Sequence, residues 1–461
     1  MKIHHIVRSV LAVAALACFA PTAAQAAEAK ESNYRGWKTL ELNNGLIEVQ
    51  VAPDIGGRII QFKLGDFEYL WVNDQLAGKM PPPTGLGPKG EWLNWGGDKL
   101  WPAPQGWGSD DKWPGPPGPV IEGIPHTASI VAAKGTTASI QHTSPQDKST
   151  GIQFSRTIHV ADGAARVSLV STMKNIGTKP RRWGIWEVTQ LSCADRKGPG
   201  YDKDVWAYCP INPKSIYPKG FKVMFGAEDN PAFKPDPEKK MMKVHYERQV
   251  GKIGMDSMAG WLAVVSGRDG RVFVERFQCF PDKKYPDDAS VEFWLQAPGK
   301  FFAAGKENVI TDDPKEAPPY MEAEVLSPFA ELQPGDSYLF SNTWSAANIG
   351  GNFPVLDCTP FGVTCEKFTA TMAGDKLSLG GRFGVFREGK IGLIFLDAKA
   401  KRIGETKPTV TVTPAKPLVL SPDSSLTAES KVPADAAEVA LSIATKDVEF
   451  VGILARAPIS K

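Results

Sequence analysis

Short runs in which apolar and polar residues alternate make up most of the chain after its first thirty positions. Residues 46–51 follow an Asn-Asn-Gly turn and residues 58–62 follow a Gly-Gly pair, a pattern typical of β-hairpins. Further strands are predicted at residues 69–72, 139–142, 153–160, 166–173, 183–190, 261–265, 271–277, 291–295 and 338–344. Strands this numerous and evenly spaced indicate an all-β sandwich or barrel.

Two long segments interrupt this rhythm. Residues 80–120 are rich in Pro and Gly and carry five Trp residues. Because Pro removes a hydrogen-bond donor from a β-ladder, we expect this segment to lie outside the central sheet. Its Trp content favours an ordered loop over one mouth of the sandwich rather than a disordered linker. Residues 196–250, also rich in Pro, are predicted to form a surface insertion.

The first residues have the features of a secretory signal. Lys2 and Arg8 precede the apolar run 10–20, and Ala24-Gln25-Ala26 then offers the small-x-small pattern of a cleavage site. We therefore expect residues 1–26 to be a signal peptide and the protein to be periplasmic or secreted. No later segment is apolar enough to predict a membrane span.

The C-terminal part has a different amino-acid composition. Residues 366–461 are poorer in Trp and richer in Lys, Ala, Thr and Val, and short strands are predicted at 390–396, 409–412, 437–443 and 448–455. This pattern favours a small C-terminal β-sandwich of Ig-like size.

Net charge and the motifs present limit which classes of ligand the protein could bind. The chain has 53 basic and 51 acidic side chains, and Lys2 and Arg8 account for the excess. Such balance disfavours nucleic acid, which requires clustered cations, and suits a neutral polar ligand such as a carbohydrate. Motifs for a cofactor or a metal are missing, so none is predicted. In an oxidising compartment, Cys193 with Cys209 and Cys358 with Cys365 would each close a short loop.

The strongest candidate for ligand binding is the segment NWGGDKLWPAPQ, residues 94–105. Sugars present apolar faces and a rim of hydroxyls, so their pockets need aromatic planes and fixed hydrogen-bonding groups. The predicted substrate-binding residues are Arg58, Asn94, Trp95, Asp98, Lys99, Trp101 and Gln105. The alternative is that these tryptophans fill one end of the core.

Two acidic residues are the strongest candidates for catalysis. In a strand, Glu322 and Glu324 point to the same face about 6.5–7 Å apart. Neighbouring carboxylates push their pKa values apart, which suits a general acid or base. A solvated strand face is the alternative. These glutamates and Asp98 could also supply oxygen ligands to a cation such as calcium, although no calcium motif is present.

A histidine adds a second candidate for proton transfer. Alternation places His245 and Glu247 on one side of a strand, where the carboxylate could tune the imidazole. Residues 252–256 follow directly and could border the same site. An exposed structural histidine is the alternative.

Two sets of segments carry a family resemblance. The stretch NGLIEVQVAPDIGGRIIQF, residues 44–62, resembles the opening hairpins of galactose-mutarotase-like proteins. The segments NWGGDKLWPAPQ, WGIWEVTQ, YPKG, KIGMD and EAEVLSPFAELQPGD resemble the family called domain of unknown function 4380, over residues 36–346. The resemblance implies a super-sandwich whose ligand cleft crosses the concave sheet.

The resemblance also bears on catalysis. Aldose mutarotases use a His as acid and a Glu as base; the Glu falls on Glu322, and Glu324 replaces a Gln of their pattern. No His stands near Trp186, so Glu187 or His245 would have to substitute. Two functions stay open: an exported carbohydrate enzyme acting as an epimerase, lyase or hydrolase, and a non-catalytic binding or scaffold module of the envelope.

Overall fold

The structure is a computed structural model that describes residues 26–422, 426 and 431–460. The predicted signal peptide, residues 1–26, lies outside the described residues except for Ala26. Over the described part of the chain, no helix is long and apolar enough to cross a membrane. The only helical elements found there are short turns at Pro53–Ile55, Pro119–Gly123, Gly267–Asp269 and Pro286–Asp288.

The all-β prediction is confirmed, since the described residues form 34 strands. In chain order they are β1 (Ala27–Tyr34), β2 (Trp37–Asn43), β3 (Ile47–Ala52), β4 (Arg58–Leu64), β5 (Phe67–Glu68), β6 (Asp98–Ala103), β7 (Thr127–Ala132), β8 (Lys134–Gly135), β9 (Thr137–Thr143), β10 (Ile152–Ala161), β11 (Arg166–Asn175), β12 (Arg181–Ser192), β13 (Val205–Pro210), β14 (Lys222–Gly226), β15 (Phe233–Asp236), β16 (Met241–His245), β17 (Gly251–Met255), β18 (Trp261–Ser266), β19 (Arg271–Phe277), β20 (Val291–Gln296), β21 (Gly299–Ala303), β22 (Lys306–Ile310), β23 (Tyr320–Leu326), β24 (Ala330–Leu332), β25 (Ser337–Asn348), β26 (Asp357–Thr359), β27 (Gly362–Ala373), β28 (Lys376–Val385), β29 (Gly389–Leu396), β30 (Arg402–Glu405), β31 (Val410–Val412), β32 (Leu418–Leu420), β33 (Glu438–Ala444) and β34 (Gly452–Ser460).

These strands form three sheets and one separate hairpin. The large sheet has the order β14-β17-β20-β23-β12-β6-β4-β3-β2-β1-β8, with β24 and β5 added beside it. The second sheet runs β15-β16-β13-β18-β19-β25-β11-β10-β9-β7. Strands β21 and β22 pair only with each other, and a third sheet runs β30-β29-β33-β34-β27-β28-β32, with β26 and β31 at its sides.

The main core lies between the large and second sheets. Alternation creates it: β10 buries every second residue, including Phe154 and Ile158, as the period of two requires. Phe293 from the large sheet and Phe273 from the second sheet belong to the same buried cluster. Each such apolar side chain removed from water contributes about 1.5–3 kcal/mol.

Strand β6 corrects the prediction for residues 80–120. The segment was expected to stay out of the central sheet, yet Asp98–Ala103 pairs with β12 in the middle of the large sheet. On its other side β6 pairs with β4 through Ile59 and Asp98 alone. The stretch containing Pro102 therefore has a ladder partner on one side, which is the arrangement in which a strand tolerates Pro.

Residues 196–250 are also more than the predicted surface insertion. They supply β13 to the interior of the second sheet, β15 and β16 to its edge, and β14 to the edge of the large sheet. The prolines lie mostly at strand ends and turns, where a missing donor breaks no ladder.

The third sheet has a core of its own, which includes Phe383, Leu393 and Leu441. Its strands begin at Asp357, before the predicted boundary at residue 366. A separate apolar cluster joins Val274 of the second sheet to Val363, so the two sheets pack against each other. The two expected disulfides are wrong: all five cysteines of the described chain are free thiols.

Candidate functional site

One face of the large sheet carries an unusual set of charged residues. Partners directly opposite one another in antiparallel strands share a face, and Glu324 of β23 lies opposite Glu292 of β20. In the next row, Glu322 lies opposite Trp294. The alternate residues, such as Phe293, point into the main core. We call the side bearing Glu292, Glu322 and Glu324 the charged face.

Lys252 of β17 links two of these carboxylates. Its Nζ lies 2.7 Å from Glu292 Oε2 and donates to Glu324 Oε2 at 2.9 Å. Trp186 of β12 donates from Nε1 to the same Glu324 oxygen at 2.7 Å. All four residues are buried, so each charge depends on its partners to offset the loss of hydration.

The protonation states of Glu324 and Lys252 follow from their burial and from the neighbouring charges. Burial raises the pKa of Glu324 to about 8, against the opposing effect of Lys252 and with a further rise from Glu292 and Glu322. Burial alone lowers the pKa of Lys252, but the two carboxylates outweigh it and hold that pKa above its ordinary value. At neutral pH the group therefore keeps an ammonium ion and a proton on Glu324.

Glu322 has separate partners. Its Oε1 accepts hydrogen bonds from Lys99 Nζ at 3.3 Å and from Gln190 Nε2 at 2.8 Å. The Lys99 ammonium also lies 4.7 Å from the ring centroid of Trp101. The two glutamates predicted to share a face do so, and each has its own ammonium partner rather than forming an isolated repelling pair.

A pocket of about 260 Å³ opens beside Lys252 and Glu292. Its volume is slightly below the usual range for ligand sites, about 300–1,000 Å³. The lining residues are Gln105, Trp186, Lys222, Val223, Met224, Phe225, Lys252, Asp287 and Glu292. The pocket therefore combines an indole wall, aliphatic surface and both charge signs, and predicted residue Gln105 belongs to it.

Strand β14 forms one wall of this pocket. Its pairing with β17 shifts register between Val223 and Phe225, which is a β-bulge at Met224. Bulges redirect side chains and occur often beside functional sites. All three of these successive residues line the pocket.

Asp287 closes another side of the pocket. Its φ is 54°, a backbone conformation uncommon for a non-glycine residue. Burial raises the pKa of its carboxyl to about 6, with a further rise from Glu292. Its carbonyl oxygen accepts a hydrogen bond from Lys222 Nζ. The pocket thus contains one carboxyl group, that of Asp287, which titrates close to neutral pH.

Two predicted ligand-binding residues have packing roles in the structure. Trp95 is 1% exposed and lies in a small apolar cluster, with its ring 6.2 Å from that of Trp37. Arg58 is also buried, and its guanidinium donates to the carbonyl oxygens of Ile55, Gly96 and Glu122. Neither side chain lines the pocket beside Lys252.

Asp98 and Glu187 lie on the core side of the large sheet, opposite the charged face. Arg156 forms ion pairs with both, and its Nη2 lies 2.6 Å from Glu187 Oε1. Burial raises the pKa of Glu187 to about 7, with Arg156 opposing and Asp98 adding to the rise. Glu187, predicted as a substitute for the missing histidine, is thus separated from the pocket by the sheet itself.

His245 lies in the second sheet and not on the charged face. It ends β16 in the second sheet and stacks on Trp206 with ring centroids 3.9 Å apart. Its Nδ1 lies 2.6 Å from Glu247 Oε1, as alternation predicted, and its Nε2 lies 2.7 Å from Lys203 O. Both ring nitrogens are occupied, so His245 does not reach the pocket.

Asn94 lies at the border of the charged face. Its Nδ2 donates to the hydroxyl of Tyr320 at 3.1 Å, and its Oδ1 accepts from the backbone of Gly96 at 3.2 Å. The hydroxyl of Tyr320 is held at the start of β23, just before Glu322. Asn94 therefore positions neighbouring groups and does not line the pocket.

The sequence reading missed Glu292, Lys222 and Asp287. A usable signal existed for Glu292: it is an acidic residue inside a run otherwise apolar enough to be buried, residues 291–295. The three acidic residues considered as oxygen ligands for a cation do not come together, because Asp98 pairs with Arg156 on the core side while Glu322 and Glu324 lie on the charged face. In the described ranges, no group of three or more His, Cys, Asp or Glu residues could hold a metal ion.

Comparison with known proteins gives a family match for part of the chain. Residues 37–198 match the family model described as "Domain of unknown function (DUF4380)". The family prediction is therefore confirmed for these residues, a shorter range than the predicted 36–346. No curated protein matches the sequence.

Several solved structures are similar in fold. A galactose mutarotase-like protein from Clostridium acetobutylicum has 11% identity and a TM-score of 0.45, with 70% of this chain and 99% of that chain covered. A galactose mutarotase-like protein from Lactobacillus casei has 12% identity and a TM-score of 0.41, with coverages of 67% and 99%. A TPR-domain containing protein from Parabacteroides distasonis has 14% identity and a TM-score of 0.44; the match covers 69% of this chain but only 48% of that one.

Proposed function

We propose that the protein binds a carbohydrate in the pocket beside Lys252 and performs acid–base chemistry on it. The observation that carries the proposal is one ammonium shared by two buried carboxylates, Glu292 and Glu324, at the base of a pocket with an indole wall. Sugars need hydrogen-bond donors, acceptors and an apolar plane together, and this pocket supplies all three.

Glu292, Lys252 and Glu324 have different proposed roles because they lie at different depths from the pocket. Glu292 and Lys252 line the pocket, so a ligand hydroxyl would accept from the ammonium and donate to the carboxylate. Glu324 lies behind them and keeps a proton at neutral pH because burial raises its pKa to about 8. Glu292 is thus the candidate base, and Glu324 is a positioning residue that holds Lys252 and supplies a proton to the group.

Binding is tested by isothermal titration calorimetry of the wild-type protein and Glu292→Gln against neutral monosaccharides and disaccharides. A lost charge-assisted hydrogen bond costs about 1.5–3 kcal/mol, so affinity should fall about tenfold or more. Glu438→Gln, the same change in the third sheet, is the matched control and should bind normally. Equal affinity of Glu292→Gln and wild type would refute this site.

Turnover is tested separately, by polarimetry of freshly dissolved sugars and by NMR of longer incubations. If Glu292 is the base, conversion is slower in Glu292→Gln even at saturating sugar. The second candidate is a binding or scaffold module without turnover. The missing mutarotase histidine favours it, because neither His245 nor Glu187 reaches the pocket in its place. If the protein binds sugars but converts none of them, the result supports the binding or scaffold module.

The proposal includes export. The order of charges, apolar run and small residues in 1–26 supports a periplasmic or secreted protein, where envelope carbohydrate is available. Detection of the chain in a periplasmic fraction, with residue 27 as its N-terminus by mass spectrometry, is the expected result. A full-length chain retained in the cytoplasm would contradict it.

A further inference from the structure

Three half-buried aromatic rings border the pocket on its β14 side. They are Phe225 of β14, Trp294 of β20 and Phe301 of β21. The ring centroids lie 6.2 Å apart for Phe225 and Trp294, 5.8 Å for Phe225 and Phe301, and 5.4 Å for Trp294 and Phe301. All three pairs meet edge to face, a favourable geometry that fixes the rings. We call this set the aromatic trio.

The aromatic trio is continuous with the pocket. Phe225 lines the pocket itself, and Trp294 lies opposite Lys252 in the pairing of β20 with β17. The β21–β22 hairpin, which carries Phe301, pairs with no other strand of the described chain and packs beside β14. A ligand leaving the pocket on this side would meet these rings.

Polar groups accompany the rings. Trp294 Nε1 donates to Gln296 Oε1 at 2.9 Å, and Gln296 Nε2 donates to the carbonyl oxygen of Glu316 at 2.6 Å. Aromatic surface with hydrogen-bonding groups at its rim suits a pyranose ring, which has apolar C–H faces and polar edges.

We propose that the aromatic trio is a second saccharide subsite and that the ligand is an oligosaccharide. One sugar ring enters the pocket, and the next ring of the chain lies against the trio. The inference rests on the proposed function. The volume of the pocket supports this inference. At about 260 Å³ it falls below the usual range for ligand sites, about 300–1,000 Å³. The pocket therefore accommodates one sugar ring, and the aromatic trio supplies the adjoining surface for the next ring.

The hairpin offers a matched pair of variants. Successive residues of a strand point to opposite faces, so Phe302 lies on the other side of the hairpin from Phe301 and is 67% exposed. Phe301→Ala removes a ring of the trio, Phe302→Ala removes an equal ring outside it, and Phe301→Tyr keeps the ring. Urea denaturation of each variant identifies any general loss of folding.

The assay is calorimetric titration of the full chain with glucose, galactose, cellobiose, maltose and lactose. Wild type should bind a disaccharide more tightly than its monosaccharide. Phe301→Ala should weaken disaccharide binding about 3–10-fold and leave monosaccharide binding unchanged, since an aromatic contact is worth about 0.5–1.5 kcal/mol. Phe301→Tyr and Phe302→Ala should both bind like wild type.

Other results would overturn the subsite. Equal wild-type affinity for disaccharides and monosaccharides would do so, as would equal weakening of both by Phe301→Ala; in either case the trio only holds the hairpin against the sheet. Failure of wild type to bind any of the five sugars would overturn the proposed function together with the subsite. The two failures are therefore distinguishable by monosaccharide binding alone.

Discussion

Replacing Lys252 by Met should expose the electrostatic cost of the site. The ammonium lies 2.7 Å from Glu292 and 2.9 Å from Glu324, and all three side chains are at most 4% exposed. Met keeps the volume but removes the charge, which leaves two buried carboxyl groups without their counterion. Breaking a buried ion pair costs about 3–5 kcal/mol, so the free energy of unfolding in urea should fall by about that amount near pH 8.

The loss should depend on pH in a defined direction. Without the ammonium, the pKa of Glu324 rises further, so near pH 5 the folded protein can neutralise this carboxyl by binding a proton. The cost of Lys252→Met should therefore be smaller near pH 5 than near pH 8. Adding Glu292→Gln and Glu324→Gln should restore most of the lost stability near pH 8. A cost below about 1 kcal/mol near pH 8, or no pH dependence, would refute the reasoning.

Three further predictions test other parts of the structure. Trp95→Ala should cost about 3–5 kcal/mol of unfolding free energy through lost packing, with sugar affinity unchanged in calorimetry; weaker binding would return Trp95 to the site. Gly57→Ala should lower urea stability by more than about 1 kcal/mol, because φ is +61° and a Cβ would lie 2.1 Å from His126 Nδ1; wild-type stability would contradict that close approach. Because folding raises the pKa of Glu187 from 4.5 to about 7, the folded state binds its proton more tightly and stability falls as pH rises through this range. Glu187→Gln cannot ionise and should show a smaller fall between about pH 5 and pH 8; an identical pH profile would contradict the assignment.

Several features of the protein could be predicted from local pattern alone. Alternation with a period of two placed most strands close to their observed bounds, as for β19 and β20. The same period required Glu322 and Glu324 to share a face, which they do. Strand geometry is a property of neighbouring residues, so no long-range information is needed for either result.

Local pattern does not determine which side of a strand meets the core. Asp98 and Lys99 are adjacent in β6, yet Asp98 faces Arg156 in the core and Lys99 faces Glu322 on the charged face. Both were predicted to contact the ligand together. Their separation follows from the pleat of the strand once its position in the sheet is known.

The amino-acid sequence by itself determined an all-β protein with paired acidic residues on one strand face. Only the tertiary structure decided that Lys252 of β17 lies between Glu292 of β20 and Glu324 of β23, next to Trp186 of β12. The physical reason is strand order. Neighbours in a sheet are chosen by pairing between distant segments, and alternation is the same whichever strands become neighbours.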